Sequence, residues 1–167
     1  MSSLASSFGA DSYLAVQTSR AGAIKGESQA SGHVDEIVVR GWQWGMSSNT
    51  DAASRGQGGA AAARRSLRPL IVEKSLDRAS TALMAAVAIN DKVKSAVLTM
   101  RKSGDAQQDF FKMTLSGAVL MDINCAADES GRVIERLTFS YAKLEVEYRV
   151  QQAGGQLGGA STFDVEA

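Results

Sequence analysis

Phe111-Lys112-Met113-Thr114-Leu115-Ser116-Gly117-Ala118-Val119-Leu120-Met121-Asp122-Ile123-Asn124 is the stretch that decides the fold. Its odd positions read Phe, Met, Leu, Gly, Val, Met and Ile, while its even positions include Lys112, Thr114, Ser116, Asp122 and Asn124. A period of two belongs to a strand with one buried face. The run is longer than an ordinary strand, and Gly117 has no side chain to pack, so a bulge or sharp bend is expected there. Downstream the pattern returns as Val133, Glu135, Leu137, Phe139, Tyr141, then changes phase to Leu144, Val146, Tyr148, Val150 opposite Lys143, Glu145, Glu147, Arg149. A bulge near Ala142 and Lys143 would keep one face inward across that shift. Two long, bent, adjacent strands predict a mainly β fold, either a β-barrel of two bent antiparallel sheets or a strongly coiled sheet.

Further strands are expected at residues 12–18, 36–44, 67–74 and 92–102, with Pro69 at a sheet edge or strand start because it cannot donate to a ladder. One short α-helix completes the barrel. Ser80 can cap it, Leu83, Met84 and Val87 form its apolar stripe, and it should end near Asn90 and plug one end. Residues 1–11 read as a flexible N-terminus, 12–150 as the barrel domain with a long loop at 46–65, and 151–167 as a glycine-rich tail. Both the loop and the tail are expected to be irregular, and a loop of that length commonly serves partner contact.

Composition sets the function classes. The chain has 167 residues, 44% of them hydrophobic, enough for one domain with a real core. Eighteen basic residues balance eighteen acidic ones, so no global field favours nucleic acid or an anionic membrane. The single cysteine, Cys125, allows no internal disulfide and suits folding in a reducing compartment. Residues 1–11 lack the basic start and apolar run of a Sec signal, and the weakly polar stretch 82–89 is far short of the roughly 20 residues of a membrane span.

No catalytic, cofactor-binding or metal site is expected. His33, Asp35 and Glu36 place imidazole near carboxylates, but structural zinc wants four ligands and no second cluster follows. Asn124, Asp128 and Glu129 around Cys125 should raise its thiol pKa, which disfavours a nucleophile paired with His33. The run Gly56, Gly58, Gly59 lacks the lysine and hydroxyl of a phosphate loop. Trp42 and Trp44 share a face if they lie in a strand and are read as a core or interface pair. Arg55, Arg64, Arg65 and Arg68 are read as loop or subunit-interface residues.

The order Gly26-Glu27-Ser28, Gly32-His33, Glu36-Ile37 and Trp42-Gln43-Trp44-Gly45-Met46-Ser47 resembles the haemolysin-coregulated protein (Hcp) family, the tube subunits of type VI secretion. The resemblance continues through Glu73-Lys74, Asp77-Arg78-Ala79-Ser80, Ala96-Val97-Leu98-Thr99 and Arg101-Lys102-Ser103-Gly104. It closes with Glu135-Arg136-Leu137-Thr138-Phe139 and Lys143-Leu144-Glu145-Val146-Glu147-Tyr148, so it spans about 12–150. It implies a barrel that assembles into a hexameric ring, with rings stacking head to tail into a tube inside a contractile sheath, capped by a spike trimer and carrying effector proteins in the lumen. It also implies a subunit that folds in the cytoplasm of a Gram-negative bacterium and leaves without a Sec signal, with no membrane anchor. On this resemblance Ser47, Arg55, Arg64 and Arg65 belong to the ring-stacking loop, and Ser28, Gln29 and Ser31 lie near ring contacts or the lumen. Gly26, Glu27, His33, Glu36, Trp42, Trp44 and Gly45 are the structural signature. Rival readings are a small-ligand-binding barrel with a pocket of Trp42, Trp44, Phe139 and Tyr141, and a phage tail-tube protein of the same architecture.

Overall fold

The alternating segments do become strands. The computed structural model describes residues 10–49, 64–103 and 107–167. In chain order the elements are β1 (Ala10–Thr18), β2 (Gly22–Ile24), β3 (Ile37–Val39), β4 (Gly41–Gln43), β5 (Met46–Asn49), β6 (Arg64–Leu67), β7 (Leu70–Ser75), α1 (Ala79–Ala88), β8 (Lys92–Lys102), β9 (Asp109–Ala127), β10 (Val133–Ser140), β11 (Lys143–Gln151) and β12 (Leu157–Glu166). The main sheet is antiparallel and runs β2-β1-β8-β9-β10-β7-β4, with β3 on β1, β11 on β9 and β12 outside β11. Leu14, Ile37, Leu70, Leu98, Leu137 and Phe139 have no exposed surface. Each such side chain contributes about 1.5–3 kcal/mol by leaving water.

The deciding stretch lies wholly in β9, but its buried face is not the odd series throughout. Met113 and Leu115 are buried, then Ala118 and Leu120, while Val119 is half-buried and Met121 exposed. Gly117 adopts φ +56°, a left-handed conformation that only glycine takes cheaply, and this turns the strand by one phase. A register slip against β10, where Thr138 faces Asp122 and Phe139 faces Leu120, skips Met121 and restores the original phase at Ile123. The second phase change, expected as a bulge near Ala142, is the other half of the Gly117 corner. β10 pairs with the far half of β9 and β11 with the near half. Ala142, between them, donates its N–H to the carbonyls of both Ser116 and Gly117 at 3.1 Å. No residue is inserted, since Ser140 opposes Val119 and Lys143 opposes Ser116. The two strands kink together.

The segment expected as one strand at 36–44 is two. β3 bonds to β1, β4 bonds to β7, and Arg40 between them donates its N–H to the Glu73 carbonyl at 2.8 Å. Pro69 sits immediately before β7, where no ladder bond is asked of it.

Three expectations need correction. The loop at 46–65 starts and ends as an antiparallel ribbon, with Met46 opposite Leu67 and Asn49 opposite Arg64; residues 50–63 lie outside the described residues, as do 1–9. The tail is no irregular segment, because β12 pairs with β11 from Glu166 opposite Lys143 to Leu157 opposite Gln151. Gly154 and Gly155, with φ of +96° and +82°, make the turn. Backbone bonding holds this strand, since only Val165 along it is buried. Nor does Ser80 cap α1. Arg78 occupies the cap position with no side-chain bond, and Ser80 is a buried residue of the first turn whose hydroxyl accepts the Asp77 N–H at 2.9 Å. The buried helix face is Ala79, Ser80, Leu83 and Ala86, packed on β9 and β2, while Met84 points outward.

Candidate functional site

The loop between β2 and β3 carries the first signature residues, and it folds on itself before it touches the sheet. Gly26 donates to the Asp35 carbonyl at 2.7 Å, Ser28 to Glu36 at 3.0 Å, and Asp35 back to Ser28 at 2.9 Å. A side chain at Gly26 would collide with the Glu36 carbonyl, so close backbone approach explains the glycine. Ser28 is buried with its hydroxyl accepting the Ala30 N–H at 3.2 Å, which leaves Gln29 and Ser31 as the exposed members of the expected contact trio. Glu27 is exposed beside them.

His33 fastens this loop to the sheet. It is 5% exposed and its ring stacks on Tyr13 of β1, with centroids 4.5 Å apart and planes 5° from parallel. Nδ1 lies 2.8 Å from Glu36 Oε2 and Nε2 lies 2.9 Å from Asp109 Oδ1 on β9. Arg101 on β8 donates Nε–H to the same Asp109 oxygen at 3.0 Å, and its guanidinium lies over the Tyr13 ring. Burial pushes the Asp109 carboxyl up, but the hydrogen bonds from His33 and Arg101 outweigh it and hold the group below the usual carboxylate range. Burial, reinforced by Asp11, raises the Tyr13 hydroxyl. The spacing of His33 and Glu36 was visible in the sequence; Tyr13, Arg101 and Asp109 come from distant strands and were not.

The second signature group roots the β5–β6 ribbon. Trp42 is half-buried and stacks on Phe111 at 5.3 Å. Trp44 donates its indole N–H to the Tyr141 hydroxyl at 2.7 Å, which donates to the Arg68 carbonyl at 2.8 Å. Arg68 donates its backbone N–H to the Gly45 carbonyl at 3.0 Å, and a side chain on Gly45 would press on the Arg68 guanidinium. Both tryptophans pack against the core, in keeping with a core pair. Of the pocket aromatics in the ligand-binding reading, Phe139 is fully buried and Tyr141 is tied up by Trp44. A cleft of about 280 Å³ does open beside Trp44, lined by Gln43, Gly45, Arg68, Pro69 and Ile71.

Ser47 is half-buried in β5 opposite Ser66, and exposed Arg65 donates from its guanidinium to the Glu166 carbonyl at 2.9 Å, joining the ribbon to β12. Arg64 opens β6 opposite Asn49, and Arg55 lies outside the described residues.

Cys125 and His33 serve opposite ends of β9, since His33 meets Asp109, the first residue of that strand. The thiol pKa is raised, as expected, but by burial and Glu135 rather than by Asp128 or Glu129; Sγ lies 3.6 Å from Glu135 Oε1.

One buried group escaped the sequence reading. Lys74 on β7 has no exposed surface, and its ammonium meets the Glu135 carboxylate, Asp77 at 2.8 Å, the Ser80 hydroxyl at 3.0 Å and the Ser75 carbonyl at 3.1 Å. Glu135 and Lys74 are cross-strand partners. The signal was present, because alternation puts Glu135 on the face of Leu137 and Phe139, and a charge there demands a buried partner.

A family model described as "Type VI secretion system effector, Hcp" matches residues 13–148. The protein hcp1 of Pseudomonas aeruginosa is 30% identical over 140 residues, covering 83% of this chain and 85% of that protein. Among solved structures, one of a type six secretion system protein superposes with a TM-score of 0.80 at 23% identity, covering 92% of each chain. Hcp1 from Salmonella typhimurium superposes with a TM-score of 0.70 at 24% identity, covering 94% of each. No helix among the described residues is long and apolar enough to cross a membrane.

Proposed function

Because this chain belongs to the Hcp family of type VI secretion proteins, we propose that it is a tube subunit whose copies close into six-membered rings and stack head to tail. The tube is driven by a contractile sheath behind a spike trimer and carries effector proteins in its lumen. The subunit folds in the cytoplasm and acts once exported. Its work is geometric, and catalysis has no part in it.

The observation that carries this reading is the extent of the family match, which runs from β1 through most of β11 and so takes in the framework of the main sheet. The pairing pattern supports it. Residues 37–43 bond to β1 through β3 and to β7 through β4, which favours a sheet rolled into a barrel. β12 is a ten-residue strand paired only with β11 among the described residues. Tyr148, Val150 and Phe163 are exposed on this hairpin. A long open strand edge beside exposed apolar side chains invites association, and a heterologous contact that closes a ring uses it up without runaway growth. Gln29 and Ser31 on the self-bonded loop, Ser47, Arg64 and Arg65 on the ribbon, and Arg55 between them in sequence are the groups we assign to contacts between rings or near the lumen.

Negative-stain electron microscopy with scattering mass on the same sample tests the reading. Uniform rings at six times the 17.6 kDa monomer mass are expected. A clean monomer at high concentration would overturn it.

A further inference from the structure

We infer that His33 is a proton-dependent latch on the loop of residues 26–36, holding the loop to the sheet when both ring nitrogens carry protons and loosening it when one is lost. The inference rests on the reading of this loop as a ring-contact segment, because that is what gives the latch a consequence beyond the subunit.

Each nitrogen of the buried ring faces a carboxylate oxygen, Glu36 at 2.8 Å and Asp109 at 2.9 Å. A carboxylate accepts and does not donate, so two such bonds need the doubly protonated imidazolium. A neutral ring keeps one N–H. Its other nitrogen then presents a lone pair to an oxygen less than 3 Å away, which is repulsive at a ring that is itself buried. The groups that bear on the ring are few and come from every element packed against it. Glu36 belongs to the loop, Asp109 to β9, Arg101 to β8, and Tyr13 to β1 with Asp11 close in the same strand. Arg101 is shared with Asp109, so that carboxylate keeps a cationic partner when the ring turns neutral. Among the described residues Glu36 has His33 as its ion-pair partner and no other. The loop therefore answers to the charge on this ring.

The loop's remaining bonds are internal, Gly26 to Asp35, Ser28 to Glu36, Asp35 to Ser28 and His33 to Ala30, apart from long, exposed ion pairs of Asp35 with Lys25 at 3.8 Å and with Arg78 at the helix start at 3.9 Å. Its side-chain attachment to β1, β8 and β9 converges on His33, and its exposed tip carries Gln29 and Ser31. Protonation of a buried ring is thus coupled to the placement of exposed side chains several residues away. Ring contacts through that tip should strengthen toward acid pH and weaken toward alkaline pH.

Amide hydrogen exchange on the full chain, corrected for intrinsic rates, tests this at about pH 6 and at about pH 9. Protection of Gly26, Ser28 and Asp35 should fall about tenfold or more at the alkaline end, the size expected for loss of one charge-assisted bond, while protection in β8 and β9 stays level. Glu36→Gln should flatten the step, since its amide can serve either state of the ring; His33→Gln should abolish it. Equal loop protection at both pH values, or a step that persists in Glu36→Gln, would overturn the latch. Micrographs of the same wild-type samples separate the two ideas: rings at both ends of the range with no change in the loop refute the latch alone. A pH step in the loop with no rings at any pH upholds the latch and refutes the ring reading.

Discussion

Lys74 would be a poor choice for stability if burial alone were counted, since an ammonium with no exposed surface carries a large desolvation cost. The cost is offset because its surroundings are complete: two carboxylates, a hydroxyl and a carbonyl surround the group. Ser80 also donates to Glu135 Oε2 at 2.8 Å, so the helix start is fastened to the same centre. Removing one member leaves the opposite charge buried and unpaired. Lys74→Met should lower unfolding free energy by about 3–5 kcal/mol, read from urea denaturation. The double substitution Lys74→Met with Glu135→Leu should recover part of that loss, because Asp77 is then the one carboxylate of the centre left without its cation. A double variant no more stable than the single one would show that the network does more than neutralise itself.

At the scale of elements, the corner where Gly117 meets Ala142 shapes the longest strand. It lets β9 face one way against β11 and keep an inward face against β10, with Leu115 and Leu144 buried on one side of the bend and Ala118 and Tyr141 on the other. A Cβ at Gly117 would sit 3.0 Å from the Ala142 methyl, and the backbone there is left-handed. Gly117→Ala should therefore destabilise the chain by about 1–3 kcal/mol in the same assay. Adding Ala142→Gly should restore only the steric part and leave the φ penalty. Full rescue by that second change would assign the whole effect to crowding.

For the whole molecule, acid pH is the natural stress. Asp109 joins β9, β8 and the β2–β3 loop, while Asp91 accepts the backbone N–H groups of Arg20 and Ala21 and so ties the start of β8 to the β1–β2 turn. Burial pushes both carboxyls up, but the hydrogen bonds they accept prevail, and both lie below the ordinary value. A carboxyl depressed by folding contributes its stability in full above its unfolded value, near 3.9, and loses it as pH falls through the lower folded value. Urea midpoints should thus decline below about pH 5. Asp109→Asn should start lower and decline less, and an unchanged slope in that variant would remove Asp109 from the account.

Alternation in 111–124 and 133–150 was enough to determine a mainly β chain with long bent strands, because burying one face of a strand imposes a period of two whatever the partner. Gly117 also declared itself, since the absence of a side chain is visible in a string of letters. Pairing was not visible. β12 looked irregular because its side chains are small and mostly exposed, and its place depends on backbone bonds to β11 that have no side-chain code. Ser80 looked like a cap because a local rule favours serine there, but its hydroxyl was claimed by Asp77, Lys74 and Glu135. The same holds for His33, whose neighbour Glu36 is three residues away and whose other partner, Asp109, is 76 residues along the chain. Sequence by itself determined the mainly β character, the bend at Gly117 and the family, all properties of local pattern and order. Tertiary structure alone decided which buried charges meet, because that depends on strand register across the sheet.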